Sequence, residues 1–285
     1  MKKTITVMFL VLCILVSQIL NGEGDIAMAE DRFDKGYQQL KKLNPEGAEQ
    51  VLKGLSDVAP DMAQFLVAFA YGDVYSRPAL DVASRQIATI AILTAMGNAQ
   101  PQLKWHINAS LNIGITPQEI IETIYVQTIY SGFPAGLNAI FAARDVFKLK
   151  QLDFKPVIWD NDKANRRERG LRTLEETSKG AGRKVIDSMS TIAPDMADFL
   201  IDFSYGTVFC RNILTPSKKE IIAIAGMTAV GNMRPQLKVH IRAAINVGLT
   251  KEQIIEIMYH TAVYAGFPAA LNGISAAKEV FMEVN

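Results

Sequence analysis

Cysteine, histidine and excess charge are all scarce in this chain of 285 residues. It holds two cysteines and three histidines, and 30 basic residues against 29 acidic ones leave a formal net charge of +1. A balance this close to neutral, with no basic stripe, excludes the electrostatic footprint of a nucleic-acid partner. Three histidines without a His-x-x-x-His pair give no metal-binding motif, so no metal is expected. There is no glycine-rich phosphate loop and no Gly-x-Ser-x-Gly elbow, which removes the usual signs of a nucleotide cofactor or a serine nucleophile. No cofactor is expected. Strand-like alternation between turn signals is also missing, so the fold class expected is all-α.

What is present begins with a targeting pattern. Lys2 and Lys3 precede an apolar run over residues 5–20, and Ala27-Met28-Ala29 offers a small-x-small cleavage site. This predicts a signal peptide over residues 1–29 and export to a periplasmic or extracellular space, with an uncleaved membrane anchor as the alternative because the run is long. No other contact with a membrane is expected. Removal of that segment leaves Cys210 as the single cysteine of the mature chain. It cannot form an intramolecular disulfide. It reads either as a small packed side chain or, beside Arg211, as a reactive thiol.

The rest of the chain says one thing twice. Shifted by 134 positions, residues 59–148 align with 193–282 without a gap, and 46 of the 90 pairs are identical. Exchanges such as Ile/Val and Leu/Met are the drift a core tolerates. The identities go beyond what a core requires: Tyr71, Arg77, Asn98, Lys104, His106, Tyr130 and Asn138 recur as Tyr205, Arg211, Asn232, Lys238, His240, Tyr264 and Asn272. The organisation expected is therefore a first domain over 30–150, a polar connection over 151–166 in which Trp159 is an anchor, and a second domain over 167–285.

Each copy reads as helical throughout. Ser84–Met96 and Lys218–Val230 have the composition of buried helices, and Pro101 and Pro235 suit the first turn of the next. Thr116 with Glu119, and Thr250 with Gln253, form capping boxes opening helices that run to about Tyr130 and Tyr264. Phe133-Pro134 and Phe267-Pro268 start the last pair, and Pro60 and Pro194 a shorter one upstream. Tyr71-Gly72 and Tyr205-Gly206 read as turns.

Few residues can carry chemistry. His106 and His240 sit at the margin of an apolar helix stripe, where an imidazole can serve as general acid or base or simply satisfy the core. Glu220, twenty residues before His240, opens the preceding helix and can orient that imidazole; its twin Gln86 can hydrogen-bond but carries no charge. A catalytic Glu–His pair would make the second copy the active one. Arg77 and Arg211 read either as clamps for a substrate carboxylate or as partners in structural salt bridges. His260, whose twin is Val126, reads as incidental.

Tyr-Gly-x-Val-x-x-Arg, Pro-Gln-Leu-Lys-x-His-Ile-x-Ala-x-x-Asn-x-Gly and Tyr-x-Gly-Phe-Pro-Ala-x-Leu-Asn each occur in both copies, at 71–77, 101–114 and 130–138 and at 205–211, 235–248 and 264–272. In these motifs the chain resembles the carboxymuconolactone decarboxylase family, whose superfamily includes the alkyl hydroperoxide reductase D type peroxidases. The resemblance implies two tandem all-α domains forming a pseudo-dimer, and rings in which three tandem chains replace six single-domain subunits. It also implies cofactor-free chemistry on a small carboxylated, lactone-type molecule. His240, Glu220 and His106 would then be catalytic, with Arg211, Arg77, Tyr205 and Tyr71 against the substrate. The peroxidase branch carries a Cys-x-x-Cys pair where this chain has Ala99 and Gln102, and Met233 and Gln236. Peroxidase activity is therefore disfavoured, since no thiolate is placed to attack a peroxide. A non-catalytic helical scaffold or binding protein of the same fold is the remaining reading.

Overall fold

The computed structural model describes residues 32–158 and 165–284. The expected signal peptide and Trp159 lie outside the described residues. Among the described residues there is no strand, and no helix is long and apolar enough to cross a membrane. The described chain divides into two compact units, one ending at Arg77 and the other starting at Pro78.

The smaller unit contains α1 (residues 32–43), α2 (Pro45–Lys53), α3 (Pro60–Phe65) and a π-helical stretch, π1 (Leu66–Tyr75). The Asn44 side chain caps α2 by accepting from the Gly47 N–H at 3.1 Å. Helix α1 and π1 meet backbone to backbone. A Cβ on Gly36 would stand 2.1 Å from the Val67 carbonyl oxygen, and one on Gly72 2.2 Å from that of Arg32. Tyr71-Gly72 is thus no turn: its glycine lies inside π1, where the absent side chain admits a neighbouring helix. The same holds for Gly206, where a Cβ would stand 2.4 Å from the Arg166 carbonyl oxygen.

The larger unit holds the remaining helices of both copies: α4 (Val82–Met96), α5 (Gln100–Asn112), α6 (Pro117–Leu149), α7 (Arg166–Ser178), α8 (Ala181–Met189), α9 (Pro194–Phe199), π2 (Leu200–Phe209), α10 (Pro216–Val230), α11 (Arg234–Asn246), α12 (Lys251–Ala265) and α13 (Phe267–Glu283). Both capping boxes form as read, on Thr116 with Glu119 and on Thr250 with Gln253. Gly97 and Gly231 close α4 and α10 in the left-handed conformation, at φ 70° and 76°.

The twin helices α4 and α10 lie directly against each other. Each is also packed by the other copy's capping-box helix, α12 on α4 and α6 on α10. Ile87, Ile90, Ile124, Ile201 and Ile222 therefore share one cluster with no exposed surface. At about 25 cal/mol per Å² of apolar surface removed from water, each such side chain contributes roughly 2 kcal/mol, so the two copies are joined by the same force that folds each of them. The connection between copies is tied down where it is described: Phe154 stacks edge-on against Phe147 at 5.4 Å, and the Gln118 side chain accepts from the Val157 N–H at 3.0 Å.

Helix α6 is broken once. Gly132 has φ 80° and ψ 164°, a backbone geometry essentially confined to glycine, and a second helical segment starts at Phe133-Pro134. Gly266, at φ 84° and ψ 164°, separates α12 from α13 in the same way. The breaks place Tyr130 and Tyr264 in the last turn before each interruption.

Candidate active site

Helix α10 begins at Pro216 under a Thr215 cap, which sets Glu220 in its second turn and inside the protein. Helix α11 packs beside it and presents His240. The Glu220 carboxylate oxygen Oε2 lies 2.7 Å from His240 Nδ1, with Glu220 1% and His240 7% exposed. A carboxylate only accepts hydrogen bonds, so Nδ1 carries a proton, and in the neutral form of the ring Nε2 holds the lone pair. Tyr130, from the first copy's α6, brings its hydroxyl to 3.2 Å from Nε2, with its ring edge-on to the imidazole. Burial, with Tyr205 and Glu220 nearby, holds the Tyr130 phenol well above the usual tyrosine range. It is therefore a neutral O–H donor. Phe209 of π2 lies alongside the imidazole at 6.3 Å between ring centres, with Tyr205 against it at 5.3 Å. Tyr205 is pushed upward in turn, by burial and by Glu220.

Two further ionic groups adjoin this pair. The Arg211 guanidinium grips Glu122 of α6 through two parallel bonds, Nε to Oε2 at 2.7 Å and Nη2 to Oε1 at 2.5 Å. Its flat face covers Tyr125. The salt-bridge alternative for Arg211 is thus the one realised, and its fork is engaged with protein rather than held open for a substrate carboxylate. Lys219 is buried and donates to the carbonyl oxygens of Phe209, at 2.6 Å, and of Arg211. Burial lowers its pKa. Cys210 lies between those two carbonyls, half-buried, and donates through Sγ to the Gly206 carbonyl at 3.1 Å. A cleft of about 360 Å³ opens between α6 and π2, walled by Tyr125, Phe133, Leu137, Phe203, Val208 and Arg211. That is within the size range of small-molecule sites.

The first copy repeats the geometry without the charge. His106 Nδ1 lies 3.0 Å from Gln86 Oε1, and Tyr264 of the second copy's α12 brings its hydroxyl to 3.3 Å from Nε2. With no carboxylate to support the imidazolium, burial drives the His106 pKa down to about 3. His260 adjoins this cluster. Its Nε2 lies 2.7 Å from the Thr89 hydroxyl and its ring 5.4 Å from that of Tyr264, while Arg85 and Glu256 pair beside it at 2.8 Å with almost no exposure. Burial, with Arg85 and His106 adding to it, pulls the His260 pKa well below the usual histidine range. His260 is thus part of a buried polar network that its lone occurrence in the repeat did not signal. Tyr71 and Arg77 belong to the smaller unit. Tyr71 is buried and stacks on Tyr75 at 5.0 Å, and Arg77 is exposed.

Among the described residues no three His, Cys, Asp or Glu side chains come together as a metal site. Sequence reasoning located the Glu220–His240 pair, noted that Tyr130 recurs without giving it a role, and passed over Glu122 and Lys219. Recurrence of Tyr130 as Tyr264 and of Glu122 as Glu256 was the available signal.

A duplicated all-α fold with a buried Glu–His pair is thereby defined. The chain belongs to the carboxymuconolactone decarboxylase family, whose profile matches residues 60–145 and again 194–279. It is 35% identical to a 4-carboxymuconolactone decarboxylase of Acinetobacter baylyi over 120 residues, 42% of this chain and 89% of that protein. A nitrosuccinic acid decarboxylase of Metarhizium robertsii is 26% identical over 113 residues, 39% of this chain and 78% of that one. A crystal structure assigned as a gamma-carboxymuconolactone decarboxylase subunit from Burkholderia xenovorans superposes with a TM-score of 0.57 at 23% identity, covering 88% of this chain and 98% of that one. This likeness shows the fold.

Proposed function

We propose that the chain is an exported, cofactor-free carboxy-lyase-like enzyme that removes carbon dioxide from a small carboxylated, lactone-type molecule by acid–base chemistry at His240 and Glu220. One observation carries the reading: the 2.7 Å contact between a buried carboxylate and a buried imidazole, present in the second copy and replaced by an uncharged amide in the first. The two named relatives act on a carboxylated lactone and on nitrosuccinic acid. In both substrates an electron-withdrawing group can receive the electron pair released when the bond to the carboxylate breaks. The carbon left behind needs a proton. His240, once it has taken a second proton up at Nε2, can deliver it and return to the neutral ring, with Glu220 against Nδ1 supporting the charged form in between. Positioned acid–base groups of this kind contribute typically 10²–10⁴-fold in rate.

His106 is assigned a structural part in this proposal. Tyr205, packed on the Phe209 that lies alongside His240, is the candidate substrate contact. Self-association belongs to the same proposal, with three tandem chains closing a ring. Exposed Phe133 and Leu137, repeated as Phe267 and Leu271, give each copy an apolar strip suited to it.

The test is carbon dioxide release from 4-carboxymuconolactone and a panel of small carboxylated lactones, comparing the wild-type chain with His240→Gln, Glu220→Gln and His106→Gln. Turnover lost in the first two variants and kept in the third is the expected result. A wild-type chain that turns over none of the panel, with histidine NMR signals unmoved by any member, overturns the reading in favour of a non-catalytic scaffold.

A further inference from the structure

Both histidine sites are built in the same crossed manner. His240 meets the tyrosine of the first copy and His106 the tyrosine of the second, at 3.2 and 3.3 Å, with rings edge-on in each case. The crossing follows from the packing of α4 on α10 with each flanked by the other copy's capping-box helix. Neither copy can assemble its histidine site alone. Only one of the two sites also has a carboxylate behind the imidazole, because Glu220 has Gln86 as its twin.

We infer that the tandem chain carries one complete acid–base site, shared between its copies, in which the second copy supplies His240 and Glu220 and the first supplies Tyr130 as the positioning residue that fixes the state of His240. This rests on the catalytic reading given above. The argument is one of donors and acceptors. Glu220 requires a proton on Nδ1, which in the neutral ring leaves Nε2 an acceptor, and a neutral Tyr130 hydroxyl satisfies that acceptor by donating to it. The ring is then held at both nitrogens, in one tautomer and one orientation, by groups 90 residues apart in sequence (Glu220 and Tyr130). An imidazole held in this way presents Nε2 in one direction, along the line to the Tyr130 oxygen. Helix α6 also supplies Glu122, which holds Arg211 at the end of π2 and so steadies the segment bearing Tyr205 and Phe209.

The experiment uses the full chain with ¹⁵N-labelled histidine and compares wild type, Tyr130→Phe and Tyr264→Phe. In wild type, the His240 signals should show the proton on Nδ1 and a hydrogen-bonded Nε2. In Tyr130→Phe, Nε2 of His240 should move toward the position of an unbonded ring nitrogen while the His106 signals stay fixed, and Tyr264→Phe should do the reverse. Where a lactone of the panel is turned over, kcat should fall at least tenfold in Tyr130→Phe and less than twofold in Tyr264→Phe, although both remove the same hydroxyl from twin positions. His240 signals unchanged by Tyr130→Phe, or equal losses of kcat in the two variants, overturn the inference. The NMR result does not depend on turnover, so an inactive wild-type chain sinks the catalytic reading and leaves the tyrosine pairing decided separately. Thermal unfolding of both variants guards against misfolding, and a Tyr130→Phe chain that unfolds at the wild-type temperature with altered His240 signals isolates positioning from packing.

Discussion

Arg211 and Glu122, 89 residues apart and from different copies, form a two-pronged ion pair with side chains 8% and 3% exposed. Removing one member of such a pair leaves the other charged, buried and unmatched, which typically costs 3–5 kcal/mol. Glu122→Gln is therefore expected to destabilise the protein by about 3 kcal/mol or more. The double change Glu122→Leu with Arg211→Met should recover most of that loss, since well-packed apolar replacements of buried pairs are often neutral. Urea unfolding of the single and double variants checks this, and a double variant no better than the sum of its parts would show that the pair is not coupled.

Acid should destabilise the fold before the carboxylates titrate. His106 is held uncharged down to about pH 3 in the folded protein, against an ordinary value of 6.5, and His260 is shifted in the same direction. Between those limits the unfolded chain binds protons that the folded one refuses, so stability falls as the pH drops from 6.5 and is fully present only above it. Each histidine contributes a slope of about 1.4 kcal/mol per pH unit. Denaturant unfolding at pH 7.5, 6 and 5 should show the decline, and His106→Gln with His260→Gln should flatten it. A curve unchanged by both substitutions would place the acid sensitivity elsewhere.

Gly132→Ala should lower the unfolding temperature and disturb the site at once. The φ of 80° with ψ of 164° at this residue costs a side-chain-bearing residue about 1–3 kcal/mol. In a protein of this size that corresponds to roughly 2–10 °C. Because the break begins two residues beyond Tyr130, the His240 Nε2 signal should shift as well. Loss of stability with no change at His240 would separate the break from the tyrosine it follows.

Gln86→Glu should give the first copy what it lacks. With a carboxylate behind Nδ1, the His106 pKa should rise from about 3 toward the neutral range, as followed by NMR titration of its ring protons. A His106 that stays uncharged throughout would mean that burial outweighs the added carboxylate at that site.

Local signals in the sequence located most of the fold. Thr116 with Glu119, Thr250 with Gln253, the prolines at 60, 101, 194 and 235 and the glycines closing α4 and α10 all act at short range, and the structure uses them as written. The pair of Glu220 with His240 was legible for a similar reason: it is set by two adjacent helices within one copy. What was not legible depended on how the copies meet. Tyr130 and Glu122 reach the second copy's site only because α6 crosses onto α10, and nothing in the spacing of residues within a repeat encodes that crossing. Tyr71-Gly72 misled for a different reason. A glycine in a sequence signals freedom of the backbone, whereas Gly72 and Gly206 are needed because another helix backbone occupies the space of their missing side chains.

The contact between α4 and α10 also has a bearing on biosynthesis. Helix α4 ends at Met96 and α10 begins at Pro216, so about 120 residues must follow the first before the second exists. At translation rates of about 5–20 residues per second this takes roughly 6–24 s. Throughout that interval the isoleucines of α4 that will face α10 have no permanent cover. A nascent first copy therefore offers a ready landing surface to any molecule that recognises bare apolar helices, and the second copy is in effect the chaperone encoded on the same message.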